Sequence, residues 1–175
     1  DAEFLVPSDR LPGEEYAFKH MLVQEVTYDG LLETRREELH RRVGSAIEAS
    51  LTEETPGYHG MLAYHFSKGR DLDRAEAFLL RAGEDAARAA ASNEALHFFE
   101  EAAGLYLKIH GDKADPAKRA ALEAKIASAL HHRGRFIDSV EHYDHALALL
   151  GDKQAHGERE QLLGFARDLL NVLRR

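Results

Sequence analysis

Gly134-Arg135-Phe136-Ile137-Asp138-Ser139-Val140-Glu141-His142-Tyr143-Asp144-His145-Ala146-Leu147 is the stretch on which the fold turns. Ser139, Tyr143 and Ala146 are spaced four and three residues apart, so on a helix they share one face. Small Ser139 and Ala146 let a second helix approach closely where Leu would hold it off, and Tyr143 is expected to fill the space between them. Gly134 permits a tight turn just before this helix, with Phe136 expected to pack beneath it. The pattern also has an earlier copy. Leu62, Ala63, Phe66, Leu72, Ala75, Leu79 and Ala82 return, sixty-four residues on, as Ile126, Ala127, Leu130, Phe136, Ser139, Tyr143 and Ala146. Self-similarity at that distance implies a stack of helical pairs, each too small to bury its own apolar face without its neighbours.

Outward from the echo, three-to-four apolar spacing predicts helices over 58–68, 71–91, 93–110, 116–133, 136–150 and 156–173. Short connections make them antiparallel neighbours. Asp115-Pro116 supplies an N-cap acceptor followed by a proline whose missing N–H is no loss there, while Gly111 and Gly151 suit left-handed helix ends. The alanine-rich run from Ala86 to Ala91 fits either the end of one long helix or a short helix of its own. Ala95, Phe99 and Ala102 suggest half of a middle unit. Towards the N-terminus, Phe4-Leu5-Val6 and Tyr16-Ala17-Phe18 are β-prone runs flanking Pro7, Pro12 and Gly13, the composition of a hairpin with a loose loop. Helical periodicity begins at His20, breaks at Gly30 and continues to Leu51. Pro56-Gly57 then divides residues 1–55 from residues 56–175. The fold class is therefore all-α, a helical-repeat superhelix behind a short hairpin.

Composition narrows the function. The 175 residues carry 23 Lys and Arg against 31 Asp and Glu, a formal charge of −8, which disfavours nucleic acid and anionic lipid as partners. The chain has no Cys, which removes disulfides, thiol catalysis and thiolate metal sites and is compatible with a reducing cytoplasm. It contains no apolar run long enough for a membrane helix, and no basic segment leading into an apolar one as in a signal peptide. It starts at Asp1 and stops at Arg175 within a helical pattern, so a piece of a longer protein is expected.

The signature positions Ala127, Leu130, Gly134, Phe136, Ser139, Tyr143 and Ala146 resemble the tetratricopeptide repeat. In the earlier copy Ala63, Phe66, Ala75, Leu79 and Ala82 match likewise, but Arg70 stands where Gly is expected and Gly69 lies one place early. The stretch from Tyr16 to Tyr28, with Leu31-Leu32, Arg35-Arg36, Leu39 to Val43 and Ala46-Ile47-Glu48, resembles a junction found in large bacterial signalling ATPases. There a winged-helix-like module after the nucleotide-binding domain hands over to tetratricopeptide repeats, and the ATPase often follows a class III adenylate or guanylate cyclase domain. The similarity continues through Met61 to Lys68 and Arg81 to Glu84. It implies that the hairpin with its two helices is the winged-helix-like remnant and that 56–175 is the repeat region. It also implies a non-catalytic interaction or regulatory role, with a protein, a peptide or upstream domains of the same polypeptide as partner. The related alternative is the inducer-sensing repeat region of a DNA-binding transcriptional activator. No G-x-x-x-x-G-K-[ST] loop and no paired metal-binding aspartates occur in this sequence, so no ATPase or cyclase activity and no cofactor is expected of it.

If the repeat assignment holds, the concave surface is formed by non-signature positions of each first helix. These are Tyr64, Ser67 and Lys68 in the first copy and Ala124, Ser128, His131 and His132 in the second, an aromatic, a cation and imidazoles suited to a partner helix or extended peptide. Eleven histidines invite other readings. His142 and His145 lie one turn apart with Glu141 and Asp144 beside them, a ligand spacing used by metals. In repeat packing, however, His131 and His132 face the groove while His142 and His145 ride on the outer side of the second helix, so these four are not expected to converge and no metal site is assigned. A His-based metal-responsive module is the remaining alternative. His20, His40 and His65 are flanked by apolar residues and are expected to be buried and hydrogen-bonded to backbone or carboxylate. Arg35, Arg36, Arg41 and Arg42 interleave with glutamates, so pairs such as Glu37 to Arg41 and Glu38 to Arg42 describe a solvated helix face.

Overall fold

A computed structural model describes the backbone of residues 5–8 and 15–151 and the side chains of residues 18–151; the helix expected over 156–173 lies outside the described residues. The backbone pairs as two short antiparallel strands at its start, β1 (Leu5–Ser8) and β2 (Glu15–Phe18), with Leu5 opposite Phe18. Among the described residues, every element after them is a helix. The helices are α1 (Met21–Asp29), α2 (Glu33–Ser50), α3 (Tyr58–Lys68), α4 (Leu72–Arg88), α5 (Ser92–His110), α6 (Pro116–His132) and α7 (Phe136–Leu149). A single 3-10 turn at Gly111–Lys113 precedes α6. The 71–91 segment is therefore one helix followed by a turn. The Asp115 side chain accepts from the Ala117 N–H at 3.1 Å, so the Asp-Pro start of α6 is capped.

From α2 onward each helix packs on the next, α2 on α3 through to α6 on α7, as expected of a one-dimensional stack. Two adjoining cores run through it. Leu62, Phe66, Ala75, Leu79, Ala102 and Tyr106 centre the first, across α3, α4 and α5. Ala95, Leu96, Phe99, Ile126, Ala129 and Leu130 form the second, between α5 and α6. The suspected half-unit is thus a full partner in the stack, with Ala95, Phe99 and Ala102 all buried.

Three of the inter-helix turns share one backbone design. After α3, the Arg70 N–H bonds the Ser67 carbonyl and the Asp71 N–H reaches back to Phe66. After α4, Ala90 bonds Ala87 and Ala91 bonds Ala86; after α6, Gly134 bonds His131 and Arg135 bonds Leu130. Each closes on one left-handed residue, with φ of 55° at Arg70, 56° at Ala90 and 75° at Gly134. Such paired bonds satisfy the last helix carbonyls and reverse the chain in three residues. Arg70 therefore takes the role expected of a glycine and accepts the left-handed strain. Gly69 beside it has another reason to be Gly: a Cβ there would lie 2.7 Å from the Arg41 side chain.

The echo is unequal in burial. Ser139 is 2 % exposed and donates its hydroxyl hydrogen bond to the Ala127 carbonyl at 2.8 Å, locking α7 on α6. Tyr143, however, is 41 % exposed where its counterpart Leu79 is 4 % exposed, and Phe136 is 58 % exposed rather than packed beneath the turn. The cause is position in the stack. α4 is covered by α5, whereas among the described residues nothing covers the outer face of α7.

Candidate functional site

The expected groove residues separate into two concavities. Tyr64, Ser67 and Lys68, all exposed on α3, line a cavity of about 370 Å³ whose other wall is α5, with His97, Phe98 and Glu101. The Lys68 ammonium lies 5.9 Å from the Tyr64 ring centre, and His97 lies 3.8 Å from Glu101. The site thus offers an aromatic face, a cation and an imidazole-carboxylate pair around an apolar floor that includes Leu79 and Ala63. Ser128 and His132 belong to a second cavity of about 340 Å³, formed by α6, with Lys125 on the same wall, against Phe99 of α5 and the left-handed turn at Ala90. Ala124 and His131 line neither concavity. Ala124 is half-buried, and the exposed His131 ring stands edge-on to Phe136 with centres 5.1 Å apart.

Behind Tyr64 lies a chain of rings that composition alone did not suggest. His40 on α2 and His65 on α3 share a hydrogen bond between their Nδ1 atoms at 3.1 Å, and His40 Nε2 shares another with the Tyr28 hydroxyl at 3.0 Å. Tyr64 meets His40 edge-on at 5.7 Å. Burial, followed by the nearby Lys68 charge, holds His40 below the ordinary imidazole range; burial, followed by His40 itself, does the same to His65. Both rings are half-buried where burial was expected, and their hydrogen-bond partners are other ring side chains instead of backbone or carboxylate. His20 departs from expectation altogether, being exposed at the start of α1 with no cap bond from its side chain.

The arginines of α2 also behave differently from a solvated face. Arg41 donates to the Gly69 carbonyl at 2.8 Å, and Glu37 is taken at 2.6 Å by Arg70. The turn after α3 is thereby tied to α2, and the expected Glu37–Arg41 pair gives way to contacts between helices. Arg35 does stay local, donating to Glu38 at 2.5 Å. Farther along, Lys118 and Lys125 of α6 reach Glu76 at 2.9 Å and Glu84 at 2.7 Å on α4, bridging across α5. The buried His59 pairs its Nδ1 with Asp85 at 2.5 Å. No hydroxyl nucleophile accompanies that dyad among the contacts of its imidazole.

The four clustered histidines divide as the helix faces require. His131 and His132 neighbour each other at the end of α6, while His142 and His145 stand together on α7 with ring centres 6.2 Å apart. An acid of the neighbouring helix meets His142: Glu123 of α6, whose carboxylate accepts from His142 Nδ1 at 2.6 Å. Sequence reading looked to the adjacent Glu141 and Asp144. No local signal marked Glu123, nineteen residues away, because its approach depends on the register between α6 and α7.

No family model matches the chain, and no solved structure matches it. An uncharacterized protein of Rhizobium meliloti is similar, at 32 % identity over 117 residues that make up 66 % of this chain and 11 % of the relative. The chain accordingly spans about a tenth of the length of the curated relative it matches.

Proposed function

We propose that the chain is a tetratricopeptide-type interaction and regulatory module of a larger nucleotide-dependent signalling protein, and that β1, β2, α1 and α2 are the remnant of a winged-helix-like module. The observation that carries the reading is the thrice-repeated three-residue turn within a nearest-neighbour stack. Such stacks expose long concave surfaces and bind through them. The relative supports the setting, since a match covering only a tenth of a protein is what a module within a long polypeptide gives. The exposed apolar residues Met21, Leu22 and Val26 of α1 support a contact with further domains, because contiguous apolar surface marks an interaction face.

On this reading the ligand is an extended or helical peptide segment, held against Tyr64 and Phe98 with Lys68 meeting a carboxylate. Selection of peptides on the immobilised chain from a random display library tests it. Selected peptides should carry an acidic residue near an apolar anchor and should lose at least tenfold in affinity with either Tyr64→Ala or Lys68→Ala. Failure to enrich any peptide, or peptides indifferent to both substitutions, would overturn the groove assignment.

A further inference from the structure

We infer that Glu123, His142 and His145 form a binding site for a zinc-class divalent cation that clasps α6 to α7. One ligand atom from each of the three residues lies within 4.8 Å of the other two. The chemistry of the donor set is that of a metal: two imidazole nitrogens and a carboxylate oxygen, with the remaining position left to water, is a common zinc arrangement. Imidazole donors also favour zinc, copper or nickel over magnesium or calcium, which prefer all-oxygen sites.

The scaffold suits the task. His142 and His145 are one turn apart on α7, so a single rigid helix presents both rings, and α6 delivers Glu123 from a helix already fixed to α7 by the Ser139 bond to Ala127. His142 and Glu123 are each partly buried, with side-chain exposures of 33 % and 25 %, whereas His145 is exposed and leaves the site open to solvent. Ligands bound tetrahedrally at about 2.0–2.1 Å stand about 3.3 Å from one another. Glu123 Oε2 and His142 Nδ1, now 2.6 Å apart, would therefore separate slightly, and His145 would close in from within 4.8 Å. Side-chain rotation alone supplies movements of that size. Binding requires His142 to offer its Nδ1 lone pair, so the proton now shared with Glu123 leaves that nitrogen, for the ring's own Nε2 or for solvent, and the cation takes its place between the two donors.

The test is calorimetric titration of the metal-free full chain with zinc chloride, alongside titration with cobalt(II) followed by visible absorption. The expected result is one zinc per chain and a cobalt spectrum of tetrahedral intensity. Affinity should fall at least tenfold in His145→Ala, which changes an exposed side chain and leaves the core alone, and also in Glu123→Gln. His131→Ala should bind zinc as the wild type does. Saturating zinc at about one hundred times the dissociation constant should raise the wild-type Tm by roughly 5–10 °C. Absence of saturable binding, binding unchanged in His145→Ala, or one zinc shared by two chains would each overturn the site.

Discussion

Gly83 and Gly104 are both helical glycines, yet replacing each by alanine should move stability in opposite directions. In a helix interior, alanine is favoured over glycine by about 0.8–1 kcal/mol. At Gly104, exposed on α5, a Cβ meets nothing within 4 Å, so the full gain is expected and Tm should rise by about 2–4 °C. At Gly83 on α4 a Cβ would stand 2.4 Å from Phe99 Cε1 and 2.6 Å from Cδ1. Carbon atoms rest about 3.5–4.0 Å apart, so the ring would have to withdraw by about 1 Å or more. Phe99 is 4 % exposed and packed with Leu96, Ile126 and Leu130, so withdrawal towards the cavity that it lines would break those contacts. The three-residue turn at Ala89–Ala91 likewise prevents α4 from sliding off α5. Overpacking of this kind costs about 1–3 kcal/mol, and an overlap so deep belongs at the upper end. Less the propensity gain, Gly83→Ala should lose about 2 kcal/mol and lower Tm by about 4–8 °C. Thermal and urea unfolding followed by far-ultraviolet circular dichroism would measure both variants. A Gly83→Ala chain as stable as wild type, or two alanine variants shifting the same way, would refute the claim that α4 and α5 meet through the missing side chain.

The left-handed turns make a second opposed pair. Ala90→Gly removes the strain of an L-residue at φ 56° and should stabilise by about 0.5–1 kcal/mol, whereas Gly134→Ala imposes that strain and should destabilise by about 1 kcal/mol; equal and same-signed shifts in urea midpoint would count against the shared turn design. The ring chain between α2 and α3 predicts a pH effect. Because the fold holds His40 and His65 below their ordinary value of about 6.5, the unfolded chain binds protons more readily there. Their contribution is thus complete above about pH 6.5 and is lost as pH falls towards the lowered values. Tm measured from pH 8 to pH 5 should fall less steeply in His65→Gln than in the wild type, and parallel curves would show that this pair does not carry the effect.

Much of the stack was legible because helical period, cap chemistry and small-residue spacing are local properties. Ser139 and Ala146 are buried at the α6–α7 contact for the reason their size implied, and Asp115-Pro116 opens α6 as its cap chemistry required. Only the coarse class follows with equal firmness from the folded chain: a helical stack, with no helix among the described residues long and apolar enough to cross a membrane. Side-chain partners were less legible. Glu37 and Arg41 satisfy the i,i+4 rule, but α2 is covered by the end of α3, and there Arg41 finds a carbonyl and Glu37 finds Arg70. A buried carbonyl and a strained turn outweigh an exposed helical pair worth only a few tenths of a kcal/mol, ~0.3–0.5.

Two features depended on geometry that residue types do not encode. Arg70 and Ala90 hold left-handed backbone without being glycine, so the repeat of the turn is visible in hydrogen bonds and φ angles while the sequence shows it once, at Gly134. The same holds for the imidazole pair of α7. Spacing identifies His142 and His145 as neighbours, but it leaves open which carboxylate they meet, and the flanking Glu141 and Asp144 are the natural guesses. Glu123 reaches them because Ser139 bonds the Ala127 carbonyl and thereby sets the register of α7 on α6, with Glu123 one helical turn before Ala127 and His142 nearly one turn beyond Ser139. The small residue that defines the echo is thus also the one that assembles the three donors, and a change at Ser139 that slipped the register would dismantle the site without touching any of them.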